Sequence, residues 1–266
     1  MQLEFGFLLG PPDGRYLVRP AADALVESVL VLATLGAPQR ARLRGGRPQS
    51  TSAAEPEPVP TSRATVVRSQ PFRSEEAAST WLAGADLEAE RDGAVAVLNR
   101  ALRAQRAAAA DPYVGEVSAD RALVVRIGYG SGEEVAAGRF GEALELPRFA
   151  GRRVKRSMEA PEERFAALLG GREEIHPAEE LVLRARADLN AGRPAEAALQ
   201  CRVAIEALLA LLKDSTEGER VGAHREVVAA AANEAVSGAI AADRAAALED
   251  AVAAMEAALK RRRLGG

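Results

Sequence analysis

The chain has 266 residues, and 48% of them are hydrophobic, which is enough for one large or two small domains with a buried core. Its single cysteine, Cys201, excludes a disulfide framework and a multi-cysteine zinc site. A net charge of -3 argues against nucleic-acid binding over the whole surface, and no apolar run approaches the roughly 20 residues of a membrane span. We therefore expect a cytoplasmic protein that does not bind membranes.

Two extended segments are predicted at the start of the chain. Apolar residues alternate with other residues over 3–9, as in a half-buried strand. The segment 10–14 combines glycine and proline in the manner of a turn, and 15–19 forms a second extended run. Together they predict an N-terminal β-hairpin.

The next apolar segment has a helical spacing. Leu25, Val29 and Leu32 would share one face of a helix, and Gly36 stands where a left-handed C-terminal cap is common. We expect a buried helix over about 21–35.

Proline and arginine dominate the segment that follows, at about 37–63. Its prolines remove backbone donors and it lacks an apolar period, so it is expected to be a surface loop. Its arginines between Arg40 and Arg47 offer a weak alternative, contact with an anionic partner. A strand is predicted at 64–68.

A long helical region is expected from Ser74 to about residue 110. A break is predicted near Gly84, with Asp86 capping the second part. The apolar, β-branched run at 122–127 then predicts a buried strand. The N-terminal half therefore offers about four strands and three helices.

Helices are predicted to follow one another in the rest of the chain. A basic hinge at 148–160 is expected to separate an N-terminal α/β module, 1–147, from an all-helical module, 161–266. The fold class is thus α+β. The predicted helices cover about 131–144, 161–170, 177–191, 194–213, 217–237 and 241–262.

A glycine-rich turn follows the strand at 122–127. Gly128, Gly130 and Gly132 let a backbone approach a ligand, and the helix expected next would present free N–H groups to an anion. The turn resembles the first motif of Rossmann-like S-adenosylmethionine methyltransferases, which implies a cofactor site. That family has an acidic residue where Arg126 stands. We therefore expect a tight turn without a cofactor, with a nucleotide or S-adenosylmethionine site as the alternative.

One segment of the C-terminal module resembles a tetratricopeptide hairpin over Leu181 to Leu211. A Gly turn is followed by Glu-Ala, and small or medium-sized residues stand where two helices must nearly touch. The resemblance implies protein or peptide binding in a concave groove. Ala143, Ala197 and Ala251 also recur at intervals of 54 residues, and coincidence is the competing explanation in an alanine-rich chain. The residues expected at close helix contacts are Ala185, Ala197, Cys201 and Ala204.

No pattern of nucleophile, base or metal ligand indicates a catalytic centre. His176 and His224 lie outside ligand spacings and are expected to be capping or surface residues. We predict a non-catalytic interaction or scaffold protein, without a metal or cofactor, that binds another protein or itself through its C-terminal helices. The weaker alternative partner is nucleic acid, contacted by the basic segments at 40–47, 152–156 and 260–263.

Overall fold

The computed structural model describes residues 1–21, 23–36, 60–147, 161–213, 215–238 and 240–265. The chain divides into two compact units, Met1–Arg153 and Val154–Gly266. The first contains an antiparallel sheet and helices, and the second is helical in its described residues, which confirms the α+β class. The predicted loop up to residue 59 and the predicted hinge at 148–160 lie outside the described residues.

The N-terminal unit is built on a six-stranded sheet. Its strands are β1 (Gln2–Phe5), β2 (Gly14–Val18), β3 (Ser28–Leu35), β4 (Thr61–Arg68), β5 (Val124–Tyr129) and β6 (Glu142–Glu145). They lie in the order β2-β3-β4-β1-β5-β6, and every neighbouring pair is antiparallel. Residues 61–63, which we predicted to be part of the surface loop, belong to β4.

Two helices cover one face of this sheet, α1 (Glu75–Gly84) and α2 (Leu87–Ala109). The predicted break between them is confirmed, because Asp86 accepts hydrogen bonds from the first amides of α2. Alternate residues of each strand face these helices. The resulting core includes Leu3, Phe5, Leu30, Leu32, Val66, Leu98, Leu102, Val125 and Ile127.

The predicted N-terminal hairpin is wrong. β1 ends at Phe5 and lies between β4 and β5, while β2 pairs with β3. The turn at 10–14 does lead into β2, but it connects strands that are not neighbours. The arrangement depends on pairing between strands that lie far apart in the sequence. A turn motif of a few residues does not indicate which strands will pair.

The predicted helix over 21–35 is also wrong, since Ser28–Leu35 forms β3 between β2 and β4. Leu25 is 91% exposed, so it does not share a buried face with Leu32. Alternating Leu30 and Leu32 face the helices, a period of two that the helical interpretation overlooked. Gly36 has the positive φ that was anticipated, at 65°, but it follows a strand.

The predicted helix over 131–144 is much shorter. It is α3 (Gly132–Ala136), and the chain then turns at Gly138, where φ is 80°, to form β6 beside β5. A left-handed glycine commonly ends a helix. The glycine-rich turn therefore opens a β-hairpin connection and not a long crossover helix.

The second unit contains α4 (Pro161–Leu169), α5 (Pro177–Asn190), α6 (Pro194–Leu211), α7 (Thr216–Gly222), α8 (Arg225–Val236) and α9 (Ala242–Gly265). α7 and α8 replace the single helix predicted over 217–237. α5 packs along α6, α6 packs along α8, and α9 contacts α5, α6, α7 and α8. None of the helices in the described ranges is long and apolar enough to cross a membrane.

Candidate functional site

The glycine-rich turn is packed against its own hairpin. A Cβ on Gly128 would lie 2.3 Å from the carbonyl oxygen of Glu142, and a Cβ on Gly130 would lie 3.0 Å from the amide nitrogen of Gly141. A Cβ on Gly132 would meet nothing within 4 Å. The close approach of β5 to the segment that forms β6 thus explains why positions 128 and 130 are glycine. The alternative of a nucleotide or S-adenosylmethionine at this turn stays a prediction.

Acidic side chains occupy the start of α3. Glu133 forms an ion pair with Arg15 on β2 at 2.8 Å, and Glu134 pairs with Arg139 at 2.5 Å. The hydrogen bond from each arginine lowers the pKa of its carboxyl partner, so both acids remain charged at neutral pH.

Arg126 lies on β5 where the methyltransferase pattern would place an acid. Its Nε donates to Glu145 of β6 at 3.0 Å. It therefore links two strands across the sheet face opposite α1 and α2.

The small residues predicted at helix contacts in the second unit are confirmed. Ala185 on α5 and Ala197, Cys201 and Ala204 on α6 are all 0% exposed. Small side chains let the α5 and α6 backbones approach closely. Burial raises the pKa of the Cys201 thiol to about 12, so this core side chain stays protonated at neutral pH.

Asp188 is a buried site that the sequence analysis missed. Its carboxylate accepts from Arg193 at 2.7 Å and from Gln200 at 2.5 Å, and the Arg193 amide donates to the Asp188 carbonyl. The cluster closes the α5–α6 turn, where Gly192 has a φ of 68°. An acid and an arginine five residues apart, flanking a glycine, were the available signal.

Helix α9 packs against α5, α6, α7 and α8 and covers the buried core that these helices share. Leu248, Val252 and Met255 are fully buried in the same cluster as α5, α6 and α8, and Arg186 pairs with Glu256 at 2.8 Å. The groove implied by the tetratricopeptide resemblance is therefore not open along this side. The recurrence at 54 residues is not a structural repeat, because Ala143 lies on the exposed strand β6 while Ala197 and Ala251 are buried in helices.

His176 lies at a helix start, as expected, whereas His224, expected within one helix over 217–237, lies partly buried between α7 and α8. His176 caps α5, since its Nδ1 accepts from the Ala178 amide at 3.2 Å. His224 precedes α8 without a side-chain cap. Within the described ranges, no group of three or more histidine, cysteine or acidic side chains is arranged to hold a metal ion. Of the basic segment 260–263, Arg261 pairs with Glu217.

An open cavity of about 620 Å³ lies between the loop at 8–13 and the adjoining ends of β3 and β4. Asp13 there accepts from the Thr34 amide and hydroxyl at 2.9 and 2.8 Å, and the Ser62 hydroxyl accepts from the Leu9 amide. These hydrogen bonds attach the loop to the sheet. The polar groups beside the cavity are therefore already used in structural contacts.

Two large apolar side chains of the second unit lie exposed next to each other on α4. Phe165 and Leu169, one helical turn apart, are 63% and 74% exposed. Arg164 on the same helix pairs with Glu173 at 3.2 Å and with Glu179, at the start of α5, at 2.7 Å. Ion pairs thus hold α4 to the unit while its apolar side chains face outward.

Comparison of the chain with protein-family models, with curated proteins and with solved structures found no match.

Proposed function

We propose that this protein is a non-catalytic interaction protein that binds another protein, or a second copy of itself, through its C-terminal helical unit. The observation that carries the proposal is the exposed apolar side of α4, formed by Phe165 and Leu169. Large exposed apolar side chains that lie together are typical of interaction surfaces.

The length of α4 supports the same interpretation. It has nine residues, and isolated helices shorter than roughly 12 to 15 residues are only marginally stable in water. Such a helix is normally stabilised by burying its apolar face. Because Phe165 and Leu169 remain exposed, a partner with an apolar surface would supply the missing burial.

The proposed surface differs from the groove that the tetratricopeptide resemblance implies. Since α9 covers the core side of α5 and α8, that side offers a partner little surface. α4 precedes this packed group of helices and is free to contribute its outer face. A scaffold role would follow if the partner bound there without displacing α9.

The test compares a double variant with a matched control. Phe165→Ser with Leu169→Ser removes the proposed surface, and Leu183→Ser on α5 removes an equally exposed side chain, since Leu183 is also 63% exposed. Light scattering over a range of concentrations measures self-association. Pull-down from the native host, followed by binding measurements with purified partners, measures association with other proteins.

We expect the double variant to lose at least about tenfold in affinity while the control keeps it, because a few apolar anchors dominate most interfaces. Circular dichroism should show that both variants stay folded. Equal binding by the double variant and the wild type would refute the assignment to α4. A folded chain that forms no complex, and binds S-adenosylmethionine, ATP or NAD in calorimetry, would support the alternative at the glycine-rich turn.

A further inference from the structure

One row of side chains crosses all six strands on the sheet face opposite α1 and α2. Leu3 and Val66 belong to the core beneath those helices, so their neighbours in sequence, Gln2 and Thr65, point to the other face. The strand registers place the following residues side by side, from β2 to β6: Arg15, Val31, Thr65, Gln2, Arg126 and Glu145.

The middle of this row is both polar and buried. Gln2 is 1% exposed and Thr65 is 0% exposed. Among the described residues, neither Gln2 Oε1 nor Thr65 Oγ1 has a hydrogen-bond partner. Buried polar atoms normally find partners, and leaving them without one destabilises the arrangement that buries them.

The cover over this polar centre is the segment Ser131–Phe140, here named the flap. It contains α3, which packs against β4. Its turn brings Gly138 so close to the sheet that an added Cβ would lie 2.6 Å from Arg63 Nη1 and 3.3 Å from Gln2 Oε1. The flap therefore lies directly on the polar centre.

The flap has few attachments to the sheet. Its buried apolar side chains are Val135 and Ala136, which are small, and its one aromatic side chain, Phe140, is only partly buried. Its link to the far edge, the ion pair between Glu133 and Arg15, has both side chains more than half exposed. Exposed ion pairs contribute little to stability because solvent screens them.

Two glycines lie opposite each other where the flap joins the hairpin. The Gly141 amide donates to the Tyr129 carbonyl at 2.8 Å, and Gly130 lies directly beside Gly141. Glycine tolerates backbone conformations closed to other residues, so this pair can act as a hinge. We propose that the flap opens about Gly130 and Gly141 and exposes the polar centre formed by Gln2, Arg63 and Thr65.

The experiment measures how readily a buried thiol on each face of β4 reacts. Thr65→Cys places a thiol beneath the flap, and Val66→Cys places one in the core on the opposite face, where Val66 is 8% exposed. Each protein is treated with a thiol reagent, and labelling is read by peptide mass spectrometry. Native Cys201, buried in the other unit, serves as the internal reference.

We expect the thiol introduced by Thr65→Cys to be labelled at least about tenfold faster than the thiol introduced by Val66→Cys. Its rate should also be insensitive to low concentrations of denaturant, since local opening exposes little surface. Equal rates with the same denaturant dependence would overturn the proposal, because they would mean that the flap separates from the sheet only when the unit unfolds.

A second pair of variants alters the flap itself. Gly138 has a φ of 80°, a conformation that strains any residue with a Cβ, and the Arg63 guanidinium would have to move to admit one. Gly138→Ala should therefore speed labelling of the Thr65→Cys thiol at least about threefold and leave that of Val66→Cys unchanged. Gly132 has space around it, so Gly132→Ala serves as the matched control without acceleration. Acceleration at both thiols would indicate global destabilisation and would also contradict the flap.

Wild-type hydrogen exchange gives a readout that needs no substitution at Thr65. The amide of Gly141, which closes the hinge, should exchange faster than the amides of the paired strands β1 and β4. Exchange of the Gly141 amide as slow as that of β4 would count against hinge opening.

Discussion

The two units fill their cores with different side chains. In the N-terminal unit, leucine, phenylalanine, isoleucine and valine lie between the sheet and two helices. In the C-terminal unit, nine of the twenty residues in the buried cluster are alanine, and six are leucine, isoleucine or methionine. A sheet and helix layer leaves space that large side chains must fill, whereas helices that approach closely leave little.

This difference predicts opposite sensitivities to mutation. Shortening a core side chain should harm the N-terminal unit most, because the rigid sheet cannot collapse into the resulting cavity. Enlarging one should harm the C-terminal unit most, because the helix backbones are already close. Three changes test the contrast, from the largest expected effect to the smallest.

Leu98→Ala should produce the largest loss. Leu98 on α2 is 0% exposed and packs beneath the sheet, so the substitution should lower the free energy of unfolding by roughly 2 to 5 kcal/mol. Denaturant titration measures this. Leu25→Ala is the control, since Leu25 is 91% exposed, and it should change stability by less than about 0.5 kcal/mol. A loss below about 1 kcal/mol at Leu98 would contradict the contrast.

Ala197→Leu should destabilise the C-terminal unit by about 1 to 3 kcal/mol, because the added atoms enter the α5–α6 contact. Ala210→Leu, at an exposed position of the same helix, should be close to neutral. Thermal melting of both variants provides the comparison. If the Ala197→Leu variant has the same melting temperature as the wild type, the inferred close approach of α5 and α6 is wrong.

The effect that is smallest at neutral pH is the pH dependence from Cys201, which acts only in alkaline solution. Burial raises the pKa of Cys201 from 9.0 to about 12, so above pH 9 the unfolded chain releases a proton that the folded chain retains. Stability from this group should be complete below about pH 9 and fall by roughly 1 kcal/mol per pH unit between about pH 9 and 12. Cys201→Ala should lessen the alkaline slope. An unchanged slope would show that the thiol is accessible to solvent in the folded unit.

Local signals predicted some elements well. The Asp86 cap, the strand before the glycine-rich turn and the proline-initiated starts of α5 and α6 depend on neighbours within a few residues. The failures at 21–35 and 131–144 share one cause. Each segment contributed a strand because an antiparallel partner was available to pair with it, and that partner lies elsewhere in the fold.

The candidate sites divide in the same way. The buried positions Ala185, Ala197, Cys201 and Ala204 were predicted from the resemblance of Leu181 to Leu211 to a tetratricopeptide hairpin. The exposed face of α4 and the polar centre beneath the flap were not predicted from the sequence. Both depend on which surfaces the other elements cover, a property that residue patterns within one segment do not contain.

The sequence by itself determined the class of the fold, the helical character of the C-terminal unit and the alanines at its helix contacts, because periodicity and capping act over a few residues. Only the tertiary structure decided the strand order, the packing of α9 over α5 and α8, and the role of the glycine-rich turn as the base of a hairpin. Those features arise from contacts between residues distant in sequence, where pairing and packing outweigh local preference.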